Sequence, residues 1–228
     1  MTSRICHYPD LENAVDGPER AGQVAALLDR LRDRGPALVV DGGDVLGPSL
    51  LGTETDGAHV PRTHAALGTD VATVGNHDLD YGAEALHSVV RESPATVLSA
   101  DLHVDGESLS DEPGVRRWTM RDVGDQNVAL TGVIARELVE NHWIADETSL
   151  RATAAEAAVE RALADAVPQR ASSTTPSSSP TADTVTTGSP GSARSTSYSA
   201  ATSTTVIASG WRTRSWRDRE PAAVTCWR

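Results

Sequence analysis

Residues 70–82, "DVATVGNHDLDYG", decide how the fold of this chain is read, because Asn76, His77, Asp78 and Asp80 come directly after a short apolar strand. A second stretch, "VVDGGD" at 39–44, has the same form: a continuous apolar run that ends in Asp41, two glycines and Asp44. A third, "RICHYPDLEN" at 4–13, runs from a strand candidate into Asp10 and Glu12. Amphipathic helices separate these runs. "ERAGQVAALLDRLRDRG" places Ala21, Val24, Leu27, Leu28 and Leu31 at helical spacing with Gly35 as a stop. "VPRTHAALG" and "GAEALHSVVRES" are further helices, "ATVLSADL", "VRRWTMRDV" and "NVALTGVIA" are strands, and "SLRATAAEAAVERALADAV" is a long Ala-rich helix. Strands alternating with helices predict an α/β domain with its functional residues in loops past the C-terminal strand ends.

Three segments thus bring carboxylates to one rim. Like charges a few ångströms apart raise one another's pKa or require a cation. The chain contains no Lys to offer there. Oxygen donors with an imidazole suit hard or borderline divalent ions, and a shared Asp can bridge two of them. Asp10, Glu12, Asp44 and Asn76 are the candidate metal ligands, with Gly42 and Gly43 turning the chain so that Asp44 faces the rim. His77, oriented by Asp78, is the candidate donor of a proton or hydrogen bond to a reacting oxygen. Taken singly, "DGGD" reads as a turn, Asp10 and Glu12 as a solvated loop, and His77 as a packed or surface residue. Their combination is what carries chemistry.

"DGGD" followed some thirty residues later by "GNHDLDYG", each after an apolar strand, resembles the metallophosphoesterase superfamily, in particular its 5′-nucleotidase-like branch. The resemblance covers roughly residues 3–165. It implies a four-layer α/β/β/α sandwich and hydrolysis of phosphate esters, nucleotides among them, by a metal-activated hydroxide. It also implies two divalent metal ions, Mn, Mg or Zn: Asp10 on the first, Asp44 bridging, Asn76 on the second. His77 would steady the phosphate oxygens or the leaving group.

The chain departs from the family pattern in three places. Glu12 stands where the family has a His, and Asp101 of "SADL" where the nucleotidase branch often has Asn. The imidazole ligands that the family supplies after the long helix are missing, since the last His is His142. His59, His64, His87, His103 and His142 lie in helices or loops without the required context and read as surface or packing residues. The sandwich is therefore expected to be incomplete at its C-terminal side, with the metallophosphoesterase-like part at 1–166 and a low-complexity tail at 167–228. The tail is rich in Ser, Thr, Pro and Gly yet ends in "GWRTRSWRDREPAAVTCWR". Shifted by one base, the codons of "SAATST" permit Gly-Gly-His-Val-His and those of "PSSSPT" permit Val-Val-Leu-Ser-His. Both are forms of the missing motifs, so the tail reads as disordered or as a displaced reading frame.

The formal net charge of −12 argues against nucleic acid and anionic membranes as partners. Acidic excess with Arg in place of Lys also suits high salt. Cys6 and Cys226 are far apart in sequence and indicate no disulfide framework. The first residues carry no apolar run of a secretion signal, so a cytoplasmic protein is expected. A non-catalytic acidic α/β domain that binds a cation or a partner is the alternative reading.

Overall fold

The structure is a computed structural model that describes residues 3–146 and 149–173, with strand segments at 203–208, 213–214 and 225–227. Its central sheet holds five parallel strands: β1 (Arg4–Tyr8), β2 (Ala37–Asp41), β3 (Val71–Thr73), β4 (Thr96–Leu98) and β7 (Val115–Arg116). These runs are apolar without alternation because both sheet faces are covered. On one face Cys6, Tyr8 and Val39 pack on α1 (Pro18–Arg32) and α3 (Val60–Leu67) through Val24, Leu28, Val60 and Leu67. The apolar spacing of α1 holds: Val24 and Leu28 are buried, and Leu27 and Leu31 pack beside them. Pro18 at its first position supplies a preset φ. Helix α4 (Gly82–Glu92) follows β3 and buries Leu86, Val89 and Val90.

On the other face Ile5, Leu38, Val40, Val71 and Leu98 meet Val123, Val128 and Leu130. These last belong to a second sheet, the antiparallel hairpin β8 (Trp118–Val123) and β9 (Gln126–Ile134). Its outer face is covered by α6 (Ala155–Ser173), where Ala158 and Val159 pack with Val133 and Ala100. The order helix, sheet, sheet, helix is the expected α/β/β/α sandwich.

The structure departs from the expected elements in three details. "VRRWTMRDV" is two strands, broken at Arg117, where the chain leaves the central sheet for the second; Thr131 Oγ1 donates to the Arg117 carbonyl at 2.6 Å. "ATVLSADL" likewise divides into β4 and β5 (Leu102–Val104), which joins β6 (Glu107–Ser108) and β10 (Arg151–Ala152) in a small third sheet. The short helix α2 (Leu50–Thr55) carries no apolar period and owes its start to side-chain caps. Ser49 Oγ accepts from Gly52 N at 2.8 Å, and the Asp16 carboxylate accepts from the amides of Leu50 and Leu51.

Helix α6 runs across the boundary expected at 166. Of the tail, β11 (Ser203–Ala208) pairs antiparallel with β9, β12 (Thr213–Arg214) with β13 (Thr225–Trp227), and β13 with β1. The remainder of the expected disordered or frame-shifted segment lies outside the described residues. Among the described residues no helix is long and apolar enough to cross a membrane.

Asp101 sits between β4 and β5, 1% exposed, and both its carboxylate oxygens face the amide of Ile134, at 3.1 and 3.3 Å. Burial pushes its pKa up to about 7, against that hydrogen bond. The folded pKa lies above the unfolded value near 3.9, so folding favours the protonated acid and stability falls as pH rises from about 4 through about 7. The loss is on the order of 4 kcal/mol. Asp101→Asn keeps an acceptor for Ile134 and removes the titration. The variant is expected to be the more stable protein at pH 8 and to lose the share of the pH slope that Asp101 contributes, leaving that of Asp78 and Asp10; urea unfolding of both chains at pH 4.5 and 8 checks this, and equal slopes would refute it.

Candidate active site

The site forms where the loops after β1, β2 and β3 interlock. The Asp10 amide donates to the Gly43 carbonyl at 3.1 Å, Glu12 to Asp44 at 2.8 Å, and Gly42 to Tyr8 at 2.9 Å. Three of the four candidate metal ligands take left-handed backbone: Asp10 at φ 52°, Glu12 at φ 41° and Asp44 at φ 59°. Non-glycine residues held there cost about 1–3 kcal/mol each and persist where the surroundings over-determine them.

The over-determining group is Asp78. Its carboxylate accepts from the amides of Asp44 at 3.0 Å, Leu46 at 3.0 Å and Gly75 at 2.8 Å. Burial, then the charge of Asp41, raises its pKa to about 6 against those three donors. Gly75 lies so near Asp44 that a Cβ there would stand 2.1 Å from Asp44 Oδ1. Asp44 Oδ1 in turn accepts from the His77 amide at 2.8 Å. Gly42 leaves room for His7 and Pro9, whose atoms would lie 2.7 and 2.9 Å from an added Cβ.

The Asp10 carboxyl group lies near enough to Asp44 and Asp41 for both to act on its pKa. Burial raises the Asp10 pKa, with a further push from Asp41 and a counter-pull from Asp44 and His77. Asn76 is 8% exposed, and its Oδ1 is buried without a hydrogen-bond partner among the described residues. Glu12 enters the interlock through its backbone. Among the described residues no group of three or more His, Cys, Asp or Glu side chains is set to hold a metal ion. Asp10, Asp44 and Asn76 stand on the three interlocked loops, and Asp44 and Asn76 are buried there.

His77 requires a correction of its partner. The side chain in contact with it is Asp80, whose Oδ2 lies 2.8 Å from His77 Nδ1, whereas the Asp78 oxygens are taken by backbone amides. In the single helical turn His77–Leu79 the residue three positions on shares a face with His77, which brings in Asp80. Asp80 Oδ1 also meets His142 Nε2 at 3.1 Å, an interaction across sixty-two residues that no local pattern announces. His142 Nδ1 accepts from the Ile144 amide, which leaves its hydrogen on Nε2 to donate to Asp80. A second pair lies under the rim, where His64 Nε2 meets Asp41 Oδ2 at 2.9 Å and His64 Nδ1 meets Ser93 Oγ at 2.8 Å. His59 is buried as a packing residue, with Nε2 on the Val45 carbonyl at 3.1 Å. Burial lowers the His7 pKa to about 4, against the pull of Asp41, so its ring is neutral at pH 7.

No family model matches the chain. The 5′-nucleotidases of Homo sapiens and Bos taurus are each 28% identical over 134 residues, covering 56% of this chain and 23% of theirs. A glucose-6-phosphate isomerase of Corynebacterium jeikeium (strain K411) is 27% identical over 148 residues, 25% of its length. The solved structures side with the first pair. A 5′-nucleotidase precursor from Thermus thermophilus superposes with a TM-score of 0.63 at 17% identity, over 75% of this chain and 35% of that one. The calcineurin-like phosphoesterase YfkN from Bacillus subtilis superposes with a TM-score of 0.55 at 15% identity, over 73% and 58%. These likenesses define the class: the chain has the metallophosphoesterase fold. Within that class it resembles the 5′-nucleotidases, and it spans about a quarter of the length of the curated ones.

Asp78→Asn places an amide nitrogen against backbone donors and forfeits charge-assisted hydrogen bonds, so it is expected to destabilise the chain by about 2 kcal/mol. Urea denaturation at pH 8 measures this. A change below about 0.5 kcal/mol would mean that Asp78 does not hold the two loops together.

Proposed function

We propose that the chain derives from a two-metal phosphoesterase of the 5′-nucleotidase-like kind, acting on small phosphate esters such as nucleotides. The observation that carries this reading is the interlock of the loops that carry Asp10, Asp44 and Asn76, with Asn76 Oδ1 buried without a hydrogen-bond partner among the described residues. Asp10, Asp44 and Asn76 would hold divalent cations, Mg, Mn or Zn, with Asp44 shared and Glu12 adjoining. When bound, the metals supply charge neutralisation and an activated water.

The protein's own groups do the rest. Asp80 fixes the His77 ring through Nδ1, which turns Nε2 toward a phosphate oxygen or leaving group as the proton or hydrogen-bond donor. His142 holds the far oxygen of Asp80 and so limits the rotation of that carboxylate. Asp78 keeps the two ligand loops in register without touching the reaction. Backbone and packing thus fix the donors before substrate arrives, which is how positioning lowers a barrier.

The lack of a three-residue metal group among the described residues favours a second reading, a non-catalytic acidic domain that binds a cation or a partner. Calorimetric titration with Mn²⁺, before and after Asp44→Asn, together with hydrolysis of p-nitrophenyl phosphate, separates the two. The phosphoesterase reading expects weak Mn²⁺ binding abolished by the substitution, and slow Mn²⁺-dependent turnover. Binding without turnover supports the second reading. No heat in either protein removes the phosphoesterase reading and the cation-binding form of the second.

A further inference from the structure

The backbone register of the central sheet sets Cys6 and Cys226 at opposed positions. Strand β13 lies antiparallel to β1, with Ile5 opposite Trp227, Cys6 opposite Cys226 and His7 opposite Thr225. Directly opposed residues of an antiparallel pair share a sheet face, and their Cα atoms stand about 5.5 or about 4.5 Å apart according to the ladder position. A disulfide spans Cα separations of about 4.4–6.8 Å, so either position meets the requirement. Cys6 is wholly buried on the helix side of the sheet, in the cluster of Tyr8, Leu28 and Val39. These are the chain's only two cysteines.

We propose that Cys6 and Cys226 form an intramolecular disulfide that staples β13 onto β1. The two thiols give up two protons and two electrons, and one S–S bond forms. The oxidant is a low-molecular-weight disulfide such as oxidised glutathione, which is cleaved to two thiols. One cysteine thiolate attacks it to give a mixed disulfide and the facing cysteine then displaces the small thiol. Without β13, β1 would be the edge of the central sheet, and β1 is the strand that leads to Asp10. The staple closes that edge and shortens the freedom of the unfolded chain over nearly its whole length.

The test is a redox equilibration of the full chain in a fixed ratio of reduced to oxidised glutathione, folded in buffer and unfolded in urea, followed by acid quench and mass analysis. The folded chain is expected to hold a monomeric species lighter by two hydrogens, with a peptide linking Cys6 to Cys226, at a ratio to the dithiol at least tenfold above that in urea. Cys226→Ser should abolish this species. Equal ratios folded and unfolded, two titratable thiols in the folded chain, or oxidation only to dimers would each overturn the proposal. None of these outcomes depends on metal binding or phosphoesterase activity.

Discussion

One buried carboxylate determines whether the rim exists. Asp78 takes three backbone hydrogens, two from the turn after β2 and one from the turn after β3, and so ties together segments more than thirty residues apart. Its environment contains opposing effects. Burial and the Asp41 charge disfavour its ionised form, while the three amides favour it, and the balance leaves its pKa at about 6. At neutral pH the ion persists because three donors compensate it. Left-handed backbone at Asp10, Glu12 and Asp44 is the conformational cost of the same arrangement. Each of those residues would relax to ordinary backbone in an isolated peptide. They stay where they are because Asp78, Gly75 and the carbonyls of Gly43 and Asp44 leave no alternative geometry.

Much of the sandwich was legible because parallel strands covered on both faces must be apolar throughout. "ALVVD" and "DVATVG" could hardly be anything else once helices with one apolar stripe stood between them. What the sequence concealed is non-local. Helix α2, "LLGTET", has Gly and Thr in its interior and forms through caps, one of them from Asp16 far upstream. The break at Arg117 follows from a change of sheet, which no period in "VRRWTMRDV" marks. The facing of Cys6 and Cys226 is a matter of register between the two ends of the chain, and distance in sequence argued against it.

The candidate site was legible in its residue types and misread in one partnership. Asp78 and Asp80 are both carboxylates near His77, and adjacency favours the first. A single helical turn reverses that preference, since it puts the third residue on, and not the next, beside the imidazole. Asp78 is then free to face inward, where three amides await it. His142 and His64 looked like filler because each lies in a helix or loop with no motif around it. Their roles come from what the fold sets opposite them, Asp80 and Asp41.

Charge compensation differs from one rim acid to the next. Asp41 has an imidazole and the Gly43 amide, Asp78 has three amides, and Asp80 has two imidazoles. Those acids are hydrogen-bonded by the protein itself, as buried charges must be. Asp44 Oδ1 accepts from the His77 amide, and burial raises the pKa of Asp10 against the pull of Asp44 and His77. Asn76 Oδ1 is buried and has no hydrogen-bond partner among the described residues. Burial raises the pKa of Asp10 at the same corner where its backbone is held left-handed, so both the charge and the chain conformation of that residue are maintained against their ordinary preference.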